Sequence, residues 1–183
     1  MLDAIKERTE LPRLLAKLNP NAVMVELGVY RGDNLALFAE ALPQGHCYGV
    51  DSWLDHLQGR NRTTPSVKSA EAEKVAYDRF NSVRNVTLIK SDTLTAVRNF
   101  ADESLDFVYI DADHTYNGCK DDIKAWYPKV KRGGIIAGHD YMTHVNDRVS
   151  FGVIEAVDEF VKSYDLTLHV TEDYPPTWIA QKP

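Results

Sequence analysis

From residue 22 onward, short apolar β-branched runs alternate with longer stretches of helical periodicity, and this alternation leaves few folds open. Strands separated by amphipathic helices cannot pair as tight hairpins. They join as parallel neighbours, with the helices packed against the sheet. Seven runs predict strands: Ala22–Leu27, His46–Val50, Val86–Lys90, Leu105–Ile110, Ile135–Ala137, Leu166–Val170 and Thr177–Ala180. Helical spacing covers Leu2–Leu18, which Pro12 kinks or divides, then Asp33–Leu42, Glu71–Ser82, Thr93–Phe100, Asn117–Val130 and Val153–Ser163. The expected class is α/β with a mainly parallel sheet. At 183 residues, against about 150 per domain, the chain reads as one domain over 1–183, opened by a helical segment at 1–19.

Two long polar stretches interrupt the alternation, at 54–70 and 142–150. The first follows a strand end and is expected to act as a lid, since loops of that length in compact domains usually carry function. Net charge narrows the partners. Lys plus Arg number 21 against 27 Asp plus Glu, a balance of −6, so the background field opposes a nucleic-acid backbone. Two cysteines, Cys47 and Cys119, cannot build a disulfide framework, a four-cysteine zinc site or an iron–sulfur cluster. No apolar run is long enough to cross a membrane, and the opening MLDAIKERTE lacks a signal-peptide core, so a cytoplasmic protein is expected.

Ligands of open α/β sheets bind where strands end in loops at the carboxyl edge. Four strands here end in EL-GVYRG, GV-DSW, YI-DADH and IIA-GHDY. The first tests for a dinucleotide. Were Gly28 the opening glycine of GxGxxG, Tyr30 and Asp33 would take the other two glycine positions. A tyrosine crowds the pyrophosphate and an aspartate at the helix start repels it. A nucleoside cofactor without phosphate escapes both objections.

Glu26-Leu27-Gly28-Val29-Tyr30-Arg31-Gly32 resembles the first motif of class I S-adenosylmethionine-dependent methyltransferases, in the E-x-G-x-x-x-G form of small-molecule O-methyltransferases. The resemblance implies a single Rossmann-like domain with a twisted seven-stranded sheet, helices on both faces and the last strand antiparallel. It places Gly28, Tyr30 and Gly32 in the cofactor loop and Glu26 beneath it. Asp51 matches the acid that takes the ribose hydroxyls, and Asp92, with Ser91 beside it, the position near the adenine amino group. Trp53 either covers the adenine or anchors the following loop, and Asp92 either meets the cofactor or caps the next helix.

The remaining edge carries Asp111-Ala112-Asp113-His114-Thr115-Tyr116 and Gly138-His139-Asp140-Tyr141. Carboxylates and imidazoles at the ends of apolar strands imply a metal site, a general-base site or both. Residues 108–141 resemble metal-dependent O-methyltransferases of the catechol, macrocin and glycosyl type. Asp111 and Asp140 match metal positions there, and Asp111 also borders the cofactor. His139 departs from the pattern: imidazole suits Mn²⁺, Fe²⁺ or Zn²⁺ better than Mg²⁺, and it is either a third ligand or the base. His114 is the other candidate base. Asp121 and Asp122 read as first-turn helix acids.

These features together imply methyl transfer to a hydroxyl of a sugar, polyol or phenol, assisted by a divalent cation, Mg²⁺ or Mn²⁺. The lid, the 142–150 loop, the N-terminal segment or a second copy in a homodimer would complete the pocket. Two other classes remain at this level: an inactive cofactor-binding interaction module, and a non-haem iron oxygenase built on His114, His139 and Asp111.

Overall fold

A computed structural model describes residues 2–54, 56–57, 60–61, 67–143 and 151–183. The α/β expectation holds. Strands β1 (Val23–Leu27), β2 (His46–Asp51), β3 (Val86–Lys90), β4 (Leu105–Ile110), β5 (Val130–Gly138), β6 (Leu168–Val170) and β7 (Trp178–Gln181) form one sheet in the order 3-2-1-4-5-7-6. The first five are parallel, and β7 runs antiparallel to both of its neighbours. The order reverses between β1 and β4, the switch point at which ligands of such sheets bind.

Strand alternation divides the core. Helices α1 (Leu11–Leu18), α2 (Asp33–Ala41) and α3 (Val67–Phe80) cover one face, setting Leu11, Leu15, Leu35, Phe38 and Ala76 against Met24, Phe107 and Tyr109. Beyond the one-turn helix α4 (Thr93–Ala96), helices α5 (Tyr116–Trp126) and α6 (Val153–Ser163) cover the other. There Ile123, Trp126, Val157 and Phe160 meet Val25, Leu27, Val108 and Ile136. Each such fully buried side chain contributes about 1.5–3 kcal/mol. No helix among the described residues is long and apolar enough to cross a membrane.

Several boundaries differ from the sequence reading. Leu2–Leu18 is not one helix but two single 3₁₀ turns, at Leu2–Ala4 and Arg8–Glu10, followed by α1. Pro12 sits in the first turn of α1, where its missing N–H leaves nothing unpaired. Helix α3 begins at Val67, inside the stretch read as loop. Helix α5 ends at Trp126 because Pro128 forces a 3₁₀ turn, and β5 then starts at Val130, five residues before the expected strand. Between the pairs Leu105–Val130 and Phe107–Ile135 the expected Gly133-Gly134 turn survives as a bulge within β5. Of the expected lid, His56–Leu57 and Arg60–Asn61 form a short antiparallel ribbon; positions 55, 58–59 and 62–66 lie outside the described residues, as do 144–150.

Gly28 is fixed by the sheet. Its φ is +87°, and a Cβ there would lie 1.9 Å from the Asp111 carbonyl oxygen. Gly133 has a similar φ of +75° but nothing within 4 Å of a Cβ. Gly28→Ala should therefore lower the unfolding free energy by about 2–4 kcal/mol, and Gly133→Ala by only about 1 kcal/mol. Urea denaturation of both variants checks this; equal losses would show that backbone strain, not the contact with Asp111, governs Gly28.

Candidate active site

The parallel register brings Ile89, Val50, Leu27, Ile110 and Gly138 level across five strands. Strands β1, β4 and β5 end there and β2 and β3 one residue later, and the residues that follow are still tied by ladder bonds. Ser91 N–H donates to the Asp51 carbonyl at 3.0 Å, Gly28 N–H to Val50 at 2.9 Å, Asp111 N–H to Leu27 at 2.8 Å and His139 N–H to Ile110 at 3.0 Å. Five elements thus deliver the residues that the sequence singled out to one edge.

Asp51 organises the first half. Its Oδ2 accepts from Tyr30 N–H at 2.8 Å and its Oδ1 from Trp53 N–H at 2.6 Å. The Trp53 indole N–H donates to the Tyr30 carbonyl at 2.8 Å, its ring packs on Tyr77 at 5.5 Å, and only 3% of the residue is exposed. Glu26 is 1% exposed, and its Oε1 accepts from Asn34 Nδ2 at 2.9 Å, fastening β1 to the start of α2. Burial pushes the Glu26 carboxyl up to about 8 against the Asn34 bond, so it holds a proton at neutral pH. Gly32, also left-handed at φ +79°, makes room for the Phe80 ring, which a Cβ would meet at 2.5 Å. That close neighbour is the last residue of α3.

Between these loops lies a cavity of about 820 Å³ lined by Gly28, Tyr30, Asp51, Ser91, Asp92 and Asp111, among others. Asp92 caps α4, its Oδ1 accepting from Thr95 N–H at 2.8 Å while the residue still faces the cavity. The far wall holds Asp113, Asp121 and Asp122. Here the first-turn reading fails: α5 starts at Tyr116 behind the cap Thr115, so Asp121 and Asp122 fall in its second turn. Asp122 is 3% exposed and accepts a short hydrogen bond from the Thr93 hydroxyl. The signal was in the sequence, because Asp122 belongs to the buried stripe of Cys119, Ile123 and Trp126.

Asp111 closes the cavity and opens the second half. The His114 Nε2 lies 3.0 Å from Asp111 Oδ1 and 3.1 Å from Asp140 Oδ2, with the His114 ring stacked on Phe151. His139 Nδ1 lies 3.5 Å from Asp140 Oδ2 and 3.8 Å from Asp111 Oδ1. Asp111, His139 and Asp140 each offer a donor atom within 4.8 Å of the others, a spacing that fits one divalent ion. Burial opposes protonation of His114, but the Asp111 bond and the charges of Asp111, Asp140 and Asp113 outweigh it and raise its pKa.

A family model described as a methyltransferase domain matches residues 25–141, more than half of the chain. The chain belongs to that methyltransferase family. No curated protein matches the sequence. Solved structures do match the fold of this methyltransferase. Cofactor-bound Rv0187 from MTB has a TM-score of 0.66 at 17% identity, over 95% of this chain and 78% of that one. An O-methyltransferase from Bacillus cereus in complex with SAH gives 0.63 at 18%, over 99% and 84%. SAH-bound methyltransferase PaMTH1 from Podospora anserina gives 0.65 at 13%, over 96% and 78%. At these identities the likeness shows a shared fold, and two of the three structures hold SAH.

Asp122 gives this wall of the methyltransferase a pH signature. Burial lifts its carboxyl to about 7, the charges of Asp113, Asp121 and Asp92 add to the rise, and the Thr93 bond opposes it. The folded chain then keeps a proton that the unfolded chain releases above about pH 4, so this group destabilises the fold progressively between those values and fully above them. Asp122→Asn should be more stable than the native chain by about 1–3 kcal/mol near pH 8.5 and indistinguishable near pH 4. Urea titrations at both pH values check it.

Proposed function

We propose that this methyltransferase transfers the methyl group to a hydroxyl of a small molecule, a sugar, polyol or phenol, with a divalent cation held by Asp111, His139 and Asp140. The observation that carries the reading is the convergence of those three side chains at the rim of the 820 Å³ cavity, sharing Asp111 with it. The cavity takes the nucleoside. Asp51 faces it with a carboxylate for the ribose diol, Asp92 and Ser91 line its adenine end, and Glu26 with Asn34 holds the loop from Gly28 through Tyr30 to Gly32 in shape. An acid that already orders the backbone of Tyr30 and Trp53 is a preorganised partner for a vicinal diol.

Bound S-adenosylmethionine supplies an electrophilic methyl carbon, and a divalent ion would lower the pKa of a coordinated hydroxyl. The chain's own residues do the rest. Asp111 belongs both to the cavity and to the acid–imidazole cluster, so a hydroxyl held at Asp111 and Asp140 would stand beside the cavity, where alignment with the methyl carbon contributes through effective molarity. His114 stands beside both carboxylates, its Nε2 3.0 Å from Asp111 and 3.1 Å from Asp140, and in its neutral form is the imidazole of this reading that takes up the hydroxyl's proton. One nitrogen among two carboxylates favours Mn²⁺ or Fe²⁺ over Mg²⁺. The net charge of −6 supports a small acceptor over a nucleic acid.

Chelation should abolish turnover of a sugar and catechol panel while leaving S-adenosylhomocysteine binding within about twofold, and Asp140→Asn should raise the metal requirement. Full activity in chelated buffer, with no metal in the purified protein, would leave a histidine-base enzyme. On the cofactor side, Asp51→Ala should weaken S-adenosylhomocysteine binding by about 1.5–3 kcal/mol in calorimetry. An unchanged dissociation constant would return Asp51 to a purely structural part.

A further inference from the structure

Helix α5 carries an acid into the seam where it meets α4. Asp122 belongs to the buried stripe of α5 and is 3% exposed. The seam itself is packed: Ala96 of α4 and Ile123 of α5 share the second core, and the Phe100 and Trp126 rings meet at 5.2 Å. There the Thr93 hydroxyl donates to Asp122 Oδ1 at 2.5 Å. Thr93 directly follows Asp92, whose Oδ1 caps α4 by accepting from Thr95 N–H at 2.8 Å. Ser91 N–H is bonded in turn to the Asp51 carbonyl at 3.0 Å, so one wall of the cavity runs from Asp51 through Ser91–Thr93 to Asp122.

One oxygen of Asp122 is left over. A carboxyl this deeply buried is costly unless both oxygens are met, and Thr93 meets only Oδ1. Among the described residues Oδ2 has no hydrogen-bond partner, and it is not sealed in the core, because Asp122 lines the 820 Å³ cavity. Asp92, Asp113 and Asp121 line the same cavity. These acids do not share the spacing of a metal site, which among the described residues is met by Asp111, His139 and Asp140. Such a wall suits the edge of a molecule that offers hydrogens. Leu94, 45% exposed, adds an apolar surface beside it.

We propose that Asp122 is a specificity residue that reads the base of the nucleoside, its Oδ2 accepting a hydrogen bond from the exocyclic amine of adenine. The inference rests on the reading of the cavity as the nucleoside site. With the ribose at Asp51 on β2, the base lies toward β3, the next strand, about 4.8 Å on, where Ser91, Asp92 and Thr93 leave the sheet. Adenine presents an amine, whose two hydrogens leave one for Asp122 even when Asp92 receives the other. A purine with a carbonyl at that position sets lone pairs against Asp122, with Asp92, Asp113 and Asp121 on the same cavity wall. The Thr93 hydroxyl fixes the carboxylate before the base arrives, which is what discrimination between an amine and a carbonyl needs.

The test compares S-adenosylhomocysteine with S-inosylhomocysteine, which carries a carbonyl in place of that amine, by calorimetry on the full chain. At pH 8.5 the Asp122 carboxyl, lifted to about 7, is ionised. The native chain should favour the adenine ligand at least about tenfold. Asp122→Leu should weaken the adenine ligand about 10–100-fold and the inosine ligand no more than about threefold. Asp122→Asn should recover part of the loss, since its carbonyl still accepts once its amide turns toward Thr93. Equal weakening of both ligands in Asp122→Leu, which a purely structural part would give, or no native preference for adenine, would overturn the proposal. Should Asp122→Leu unfold, a crystal structure of the native chain with S-adenosylhomocysteine decides: Oδ2 should lie within about 3.2 Å of the amine nitrogen, and a separation above about 4 Å would overturn the assignment. Binding of neither ligand to the native chain would remove the nucleoside reading and the proposal with it; equal binding of both would leave that reading standing and remove the part of Asp122 alone.

Discussion

Everything functional in this molecule hangs on the parallel register at the carboxyl edge. Level alignment of Ile89, Val50, Leu27, Ile110 and Gly138 is set by buried apolar side chains that would all change faces if a strand slipped by one residue. The ladder then continues one bond past β1, β3, β4 and β5, through Gly28, Ser91, Asp111 and His139. Side chains on separate loops would wander by ångströms; these inherit the rigidity of the sheet. Gly28 shows how tight the arrangement is, because the Asp111 backbone occupies the space that any Cβ would need.

That rigidity has an energetic counterpart. Of the five non-glycine residues with positive φ among the described residues, Tyr30, Trp53 and Asp140 stand at the ends of β1, β2 and β5. Each left-handed residue costs about 1–2 kcal/mol and persists only where its surroundings hold it. The two carboxylate oxygens of Asp51 hold the first two, and Asp140 is held in the cluster with His114 and His139. Burial that lifts the Glu26 carboxyl to about 8 favours its neutral form beneath the loop.

The sheet, and the convergence of most of the singled-out residues on its carboxyl edge, were legible in the sequence because both follow from local rules. Unbroken apolar runs marked β1 and β4, and polar residues directly after them could only emerge at the carboxyl edge. What escaped was decided by tertiary contact. The close approach across Gly32 comes from Phe80, a residue far along the chain, so spacing alone could not separate it from a ligand. Asp122 was hidden by its own chemistry: an acid early in a helix suggests the dipole, and only its place in the Cys119–Trp126 stripe discloses burial.

Asp111 links the two halves, and its position explains why neither half is sufficient alone. Its backbone closes against Gly28 and lines the nucleoside cavity, while its Oδ1 meets His114 and lies within 3.8 Å of His139. A side chain shared in this way fixes the distance between the cavity and the acid–imidazole cluster without any moving part. On the proposed reading, donor and acceptor are coupled by one residue at one strand end. Beside this frame, the residues before α1 and the 171–177 turn are held outside the parallel register, by bonds through Lys6, Arg8, Glu172 and Asp173.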